Sequence, residues 1–241
     1  MAYKPEDQWN EPEDMARIVA ISGLPPAYIQ TERLEPVNYN QLWESQLQKI
    51  NIDNWVQIIP GEQSPDPGYA IHLFIRPQMS FGTGHHATTR MMMQLMRDAV
   101  WSDTKVLDMG SGTGILGILA IRLGAAHLTG IDIEDWCTEN AGENAIRNGV
   151  STHCTWLTGT AEIIPAQPVF DRILANINRN ILLADVGAYC AALKPGGYLF
   201  ISGFHTSDLP VLEEAFHHQG LRRIQTLSES PWAAALFELN R

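Results

Sequence analysis

Val106–Gly114, VLDMGSGTG, is an apolar run that passes straight into a turn with glycine at every second position, and Ile115–Leu123 (ILGILAIRL) continues it at helical spacing. A strand feeding a glycine-rich turn and then a helix is the opening of a βα unit on a parallel sheet. Glycines at 110, 112 and 114 let the backbone turn tightly and let a ligand approach with no Cβ in the way. The turn therefore reads as the seat of a nucleotide-like cofactor, with a tight turn and no ligand as the alternative. The dinucleotide fingerprint G-x-G-x-x-G would place its third glycine where Ile115 stands, so the pattern is instead D-x-G-x-G-x-G over Asp108, Gly110, Gly112 and Gly114.

Outward from this stretch, short β-branched runs alternate with helical ones. Strands are predicted at Lys105–Met109, His127–Ile131, His153–Leu157, Phe170–Leu174 and Tyr198–Ser202, with helices between them, which is a doubly wound α/β sheet. Leu221–Leu227 and Ala233–Leu239 lie too close for a crossover helix and are expected to be antiparallel. Upstream, Glu11–Ala20 and Asn40–Ile50 read as helices, Trp55–Pro60 and Tyr69–Arg76 as strands, and Gly61–Gly68 (GEQSPDPG) as a turn. The chain thus divides into residues 1–60, a leading region and linker, and residues 61–241, the cofactor-binding domain.

Asp132 ends the strand after the glycine turn, 22 residues beyond Gly110. An acidic side chain there can accept from both hydroxyls of a ribose; capping of the following helix is the other role open to it, and Asp135 is better placed for that. Asn176 ends FDRILAN, at the carboxyl edge where open α/β sheets bind ligands. Its carboxamide can accept from an amine proton, or it can cap the helix that begins near Asn178.

With 241 residues and 45% apolar content, the chain can bury a sizeable core. The most apolar stretch, Val106–Leu123, carries four glycines and an arginine and does not span a bilayer. Three cysteines without C-x-x-C spacing form neither a disulfide framework nor a zinc site, and fit a cytoplasmic protein. A net charge of −11 disfavours direct nucleic-acid binding and favours a basic macromolecular partner or a small molecule.

The D-x-G-x-G-x-G turn resembles the first motif of S-adenosylmethionine-dependent methyltransferases. Upstream, Met79–Thr89 reads MSFGTGHHATT. FGTG-x-H-x-TT before such a core, LAN at Leu174–Asn176 and LKPGG at Leu193–Gly197 together resemble the methyltransferases of large-subunit ribosomal protein eleven, as do NYNQLWES (Asn38–Ser45) and ILANINRNILL (Ile173–Leu183). The resemblance runs from about Asn38 to the C-terminus. It implies a mostly parallel seven-stranded sheet, S-adenosylmethionine as cofactor, and a large-subunit ribosomal protein as partner and substrate, methylated on lysine side chains and its N-terminus. It also implies that Thr89 contacts the methionine end of the cofactor, that Gly110, Gly112 and Asp132 form the loop and ribose contacts, that Asn176 lies near the transferring methyl, and that Phe81 covers the sulfonium or the incoming amine. A methyltransferase of the same fold acting on a small molecule or nucleic acid is the alternative.

The residues support these roles in their own right. Thr88 and Thr89 begin a helix, whose N-terminus suits a carboxylate, and Gly82 and Gly84 give the segment before it freedom to close. Adjacent His85 and His86 lack a third ligand at metal spacing, and Met91, Met92, Met93 and Met96 read as the apolar face of that helix. The family carries a split βαβ-type leading domain; the 37 residues before Asn38 have room for only its later part.

Overall fold

The computed structural model describes residues 9–31, 48–78 and 80–240. The chain divides into two units, residues 1–39 and 40–241. In the first, α1 (Glu11–Ser22) has proline in its opening turn, Asp14 accepts from the Asn10 amide at 2.8 Å, and Gly23 closes the helix in the left-handed conformation that costs a residue without Cβ least. Asn38–Ser45 and most of the helix expected over Asn40–Ile50 lie outside the described residues; Ile50 itself opens a strand.

The second unit holds two sheets. β1 (Ile50–Ile52), β2 (Val56–Pro60) and β3 (Ile71–Ile75) form a small one, antiparallel between β1 and β2 and parallel between β2 and β3. Residue 60 is the last of β2. The larger sheet follows β4 (Lys105–Met109), α3 (Ile115–Arg122), β5 (His127–Asp132), α4 (Asp135–Arg147), β6 (Cys154–Thr158), β7 (Phe170–Asn176), α5 (Arg179–Ala192), β8 (Leu193–His205), α6 (Leu209–His218), β9 (Leu221–Glu229) and β10 (Trp232–Leu239), with α2 (Ala87–Arg97) ahead of it. Its strand order is β6-β5-β4-β7-β8-β10-β9, parallel except for β10, which runs antiparallel to both neighbours. The expected seven-stranded, mostly parallel sheet is thus present.

Core packing follows the two-residue period of the strands, because helices cover both faces of the sheet. Val106 and Phe200 pack on the face that also buries Met92 and Leu116, whereas Leu107, Leu199 and Ile201 pack on the opposite face with Tyr189 and Phe216. Met91, Met92, Met93 and Met96 are all buried, as expected of the inner face of α2. β8 is longer than Tyr198–Ser202, because Leu193 already pairs with Phe170 before a register shift.

The small sheet meets α4 through side-chain amides. Asn140, Asn144 and Asn148, spaced by four, lie on one face of that helix and just beyond it, and all three are buried. Asn148 accepts from the Phe74 amide (3.0 Å) and donates to its carbonyl (2.8 Å); Asn144 does the same at Arg76 (2.8 and 3.2 Å). Asn140 also donates to the Arg76 carbonyl at 3.0 Å. The carboxamides of Asn144 and Asn148 each supply the paired donor and acceptor of a missing strand, so the outer edge of β3 is satisfied at Phe74 and Arg76 without one.

Candidate active site

The strand order reverses beside β4, and the carboxyl ends of β4 and β7 open there into the crevice typical of such sheets. Gly110 (φ +71°) and Gly112 (φ +53°) hold the turn in the left-handed region. A Cβ on Gly112 would stand 2.3 Å from the Phe81 carbonyl oxygen, and one on Gly110 would stand 2.3 Å from Ile177 Cγ2. The glycines are required by close approach within the protein as well as by any ligand.

Five consecutive loop amides are committed inside the protein. Gly110 and Ser111 donate to the Ile131 carbonyl (2.8 and 3.1 Å), Gly112 to Asp132 Oδ2 (2.8 Å), Thr113 to the Phe81 carbonyl (2.9 Å) and Gly114 to the Ser111 carbonyl (2.7 Å). Phosphate-binding glycine turns hold their ligand with free N–H groups. This turn has none left between 110 and 114, which extends the argument that Ile115 made against a dinucleotide and fits a cofactor without phosphates.

Asp132 is buried at the end of β5, and each carboxylate oxygen accepts one backbone bond, Oδ2 from Gly112 and Oδ1 from the Glu134 amide at 3.1 Å. Both oxygens retain lone pairs for the two hydroxyls of a ribose. Asp132 therefore also pins the turn after β5. Asp135 accepts from the Trp136 amide at 2.7 Å but stands inside α4, whose N-cap residue is Glu134. Asp108 is wholly buried and accepts from the Gly117 amide at 3.0 Å. Burial, with the nearby charge of Asp132, pushes its carboxyl up to about 7. In the Gly159–Glu162 turn after β6, the Gly159 amide is taken by the Asp132 carbonyl at 2.8 Å.

Asn176 and Thr89 come together. Asn176 Nδ2 donates to Thr89 Oγ1 at 3.4 Å, while Asn176 Oδ1 is buried without a hydrogen-bond partner. The helix cap is Asn178, whose Oδ1 accepts from the Asn180 and Ile181 amides, so Asn176 is left out of that role. The twin threonines divide similarly: Thr88 is engaged with the N-capping His86, its amide donating to His86 Nδ1, whereas Thr89 faces the crevice partner. Phe81 stands 59% exposed with its ring 5.6 Å from that of His86. Beyond it, His86, Trp232 and His205 continue an aromatic row at centroid separations of 4.7 and 4.6 Å.

The sequence-chosen residues thus fall into two groups: Gly110, Gly112 and Asp132 with the Phe81 backbone, and Thr89 with Asn176. Sequence reasoning missed Thr113 and Trp232, whose partners come from distant segments. It also missed Asn144, although the spacing of 140, 144 and 148 on one face was readable. Two buried atoms without partners, Ser111 Oγ in the glycine turn and Asn176 Oδ1, leave polar capacity for a cofactor and an amine.

The seven-stranded fold with its glycine turn at the carboxyl end of β4 is that of the class I methyltransferases, and the comparisons place the chain among the S-adenosylmethionine-dependent ones. The chain belongs to the Ribosomal protein L11 methyltransferase (PrmA) family, whose model matches residues 6–239. It is 45% identical over 202 residues to the ribosomal protein L11 methyltransferase of Porphyromonas gingivalis, covering 83% of this chain and 69% of that one. The solved ribosomal protein L11 methylase of Lactobacillus delbrueckii subsp. bulgaricus superposes with a TM-score of 0.74 at 26% identity, over 81% of this chain and all of that one. The fold is shared with the N-methyltransferase NodS of Bradyrhizobium japonicum, solved with S-adenosyl-L-homocysteine (TM-score 0.53, 16% identity, 65% of this chain and 90% of that one).

Proposed function

We propose that this chain transfers methyl groups from S-adenosylmethionine to amino groups of ribosomal protein L11, on lysine side chains and the N-terminus. The observation that carries the reading is the buried, unpartnered Oδ1 of Asn176 at the carboxyl end of β7, beside Thr89. A buried carbonyl oxygen without a donor is costly, and an amine proton satisfies it.

Bound S-adenosylmethionine supplies a methyl group already activated by its positive sulfur. The residues then have the tasks of holding and excluding. Asp132 orients a ribose through the lone pairs left on its two oxygens, and Gly110 and Gly112 present bare backbone to the cofactor. Thr89 meets the methionine end. Asn176 Oδ1 would accept an N–H of the deprotonated amine and so turn the amine nitrogen's lone pair toward the methyl group, and Phe81 would screen the reaction from water. Alignment of this kind accounts for about 7–11 kcal/mol of barrier lowering, so neither a metal nor a covalent enzyme intermediate is required. Residues 1–60 serve substrate docking and residues 61–241 the chemistry, in the cytoplasm, where ribosomal proteins are met.

No helix among the described residues is long and apolar enough to cross a membrane. The test is mass spectrometry of ribosomal protein L11 incubated with the protein and isotopically labelled S-adenosylmethionine. Label at amino groups is the expected result; an unlabelled substrate protein, with the cofactor bound, removes the reading.

A further inference from the structure

We infer that Thr113 is the latch of the Phe81 segment, a positioning residue that sets Phe81 for methyl transfer. The inference rests on the role proposed for Phe81 and extends it to the residue that holds Phe81 in place. Thr113 is fully buried in the glycine turn and joins three parts of the molecule. Its amide donates to the Phe81 carbonyl at 2.9 Å, its hydroxyl donates to the Gly82 carbonyl at 2.7 Å, and its own carbonyl accepts from Asn144 Nδ2 at 3.0 Å.

The segment on the far side of these bonds turns on two glycines. Gly82 and Gly84 sit at φ +96° and +90°, either side of Thr83, a conformation that side chains disfavour, and a Cβ on Gly84 would stand 2.2 Å from Ile58 Cδ1, so the segment is seated on β2 at one end and on Thr113 at the other. The Phe81 ring, by contrast, is largely exposed, and His86 is its one aromatic neighbour among the described residues. The backbone at Phe81 is held by the two bonds from Thr113, one to its own carbonyl and one to that of Gly82. The base of the latch is rigid, because Asn144 ties Thr113 to α4 and to Arg76 at the end of β3. Gly112, next to Thr113, is the residue whose amide Asp132 holds. A cofactor seated against Gly112 and Asp132 therefore sets Thr113, and Thr113 sets Phe81.

Thr113→Val keeps the volume and the backbone bonds and removes only the hydroxyl donor. In that variant kcat falls about ten- to a hundredfold while the cofactor Kd stays within about threefold, as expected when a reacting geometry is loosened and binding is not. Amide hydrogen exchange over residues 80–86 quickens, and Thr113→Ser, which restores the donor, recovers both kcat and protection. Calorimetric cofactor binding confirms that each variant is folded. A folded Thr113→Val with wild-type kcat or unchanged exchange at 80–86 overturns the latch, as does a loss of cofactor affinity as large as the loss of rate. Phe81→Ala separates the two readings. Wild-type turnover in Phe81→Ala removes the role of Phe81 itself, whereas slow Phe81→Ala beside normal Thr113→Val removes only the latch.

Discussion

Asn176 and Thr89, 87 positions apart in the chain, share a hydrogen bond of 3.4 Å that leaves Asn176 Oδ1 buried and unpartnered, while Asn178 two residues on takes the helix cap. Two asparagines that look interchangeable in the sequence therefore have separable jobs. Asn176→Ala is expected to lower kcat on ribosomal protein L11 far more than it changes the cofactor Kd, since its contact is made with the aligned amine. Asn178→Ala is expected to cost about 0.5–2 kcal/mol of stability with turnover retained in the folded fraction. Steady-state kinetics beside thermal melts decide both; normal kcat in Asn176→Ala would end its assignment to the site.

Asp132→Ala should weaken S-adenosylmethionine by about 1.5–3 kcal/mol through the lost charge-assisted bonds. It also frees the Gly112 amide, so the glycine turn loses one of its internal anchors. Calorimetric titration of the folded variant gives the answer, and an unchanged dissociation constant would contradict the ribose role.

Asp108 makes stability depend on pH in a direction opposite to that of most carboxylates. Burial raises its folded pKa from 3.8 to about 7, so between those values the unfolded chain has released a proton that the folded chain still holds. Stability therefore falls as pH rises through this window and is flat above it with respect to this group. Asp108→Asn keeps an acceptor for the Gly117 amide and abolishes the titration. The melting temperature of the variant should gain on that of the wild type between about pH 4 and pH 7. Parallel curves across that range would refute the assignment.

Asn144→Leu should be costly, because the Arg76 amide loses its acceptor, the Arg76 carbonyl keeps only the Asn140 donor of the two amides that reach it, and the Thr113 carbonyl loses its donor. A penalty of about 2–4 kcal/mol in chemical denaturation is expected from buried groups left unsatisfied. Faster hydrogen exchange over residues 71–76 should accompany it. A loss of under about 0.5 kcal/mol, the range of an ordinary surface substitution, would mean that the ladder carries little weight.

The strands β4, β5 and β7 were legible because each is a short β-branched run bounded by turn residues, and their carboxyl ends located Gly110, Asp132 and Asn176 without further information. The antiparallel pairing at the end of the chain followed from the mere shortness of the link between Leu227 and Ala233. The extent of β8 was hidden by Pro195, Gly196 and Gly197, residue types that strands disfavour, although Leu193 is already paired. Thr113 was hidden for a different reason. A threonine between two glycines has no periodicity to betray it, and its bonds reach residues 31 positions away in both directions. The asparagine ladder was visible as spacing, yet a polar stripe on a helix ordinarily faces water.

That ladder imposes an order of events during synthesis. Phe74 and the amide of Asn148 that pairs with it are 74 residues apart, and α4 leaves the ribosome after β3 does. At 5–20 residues per second, the edge IHLFI waits about 4–15 s for the side chains that will cover its backbone. An apolar strand with open N–H and C=O groups invites pairing with another nascent chain. The interval between β3 and α4 is therefore a stage at which newly made copies carry an open pairing edge.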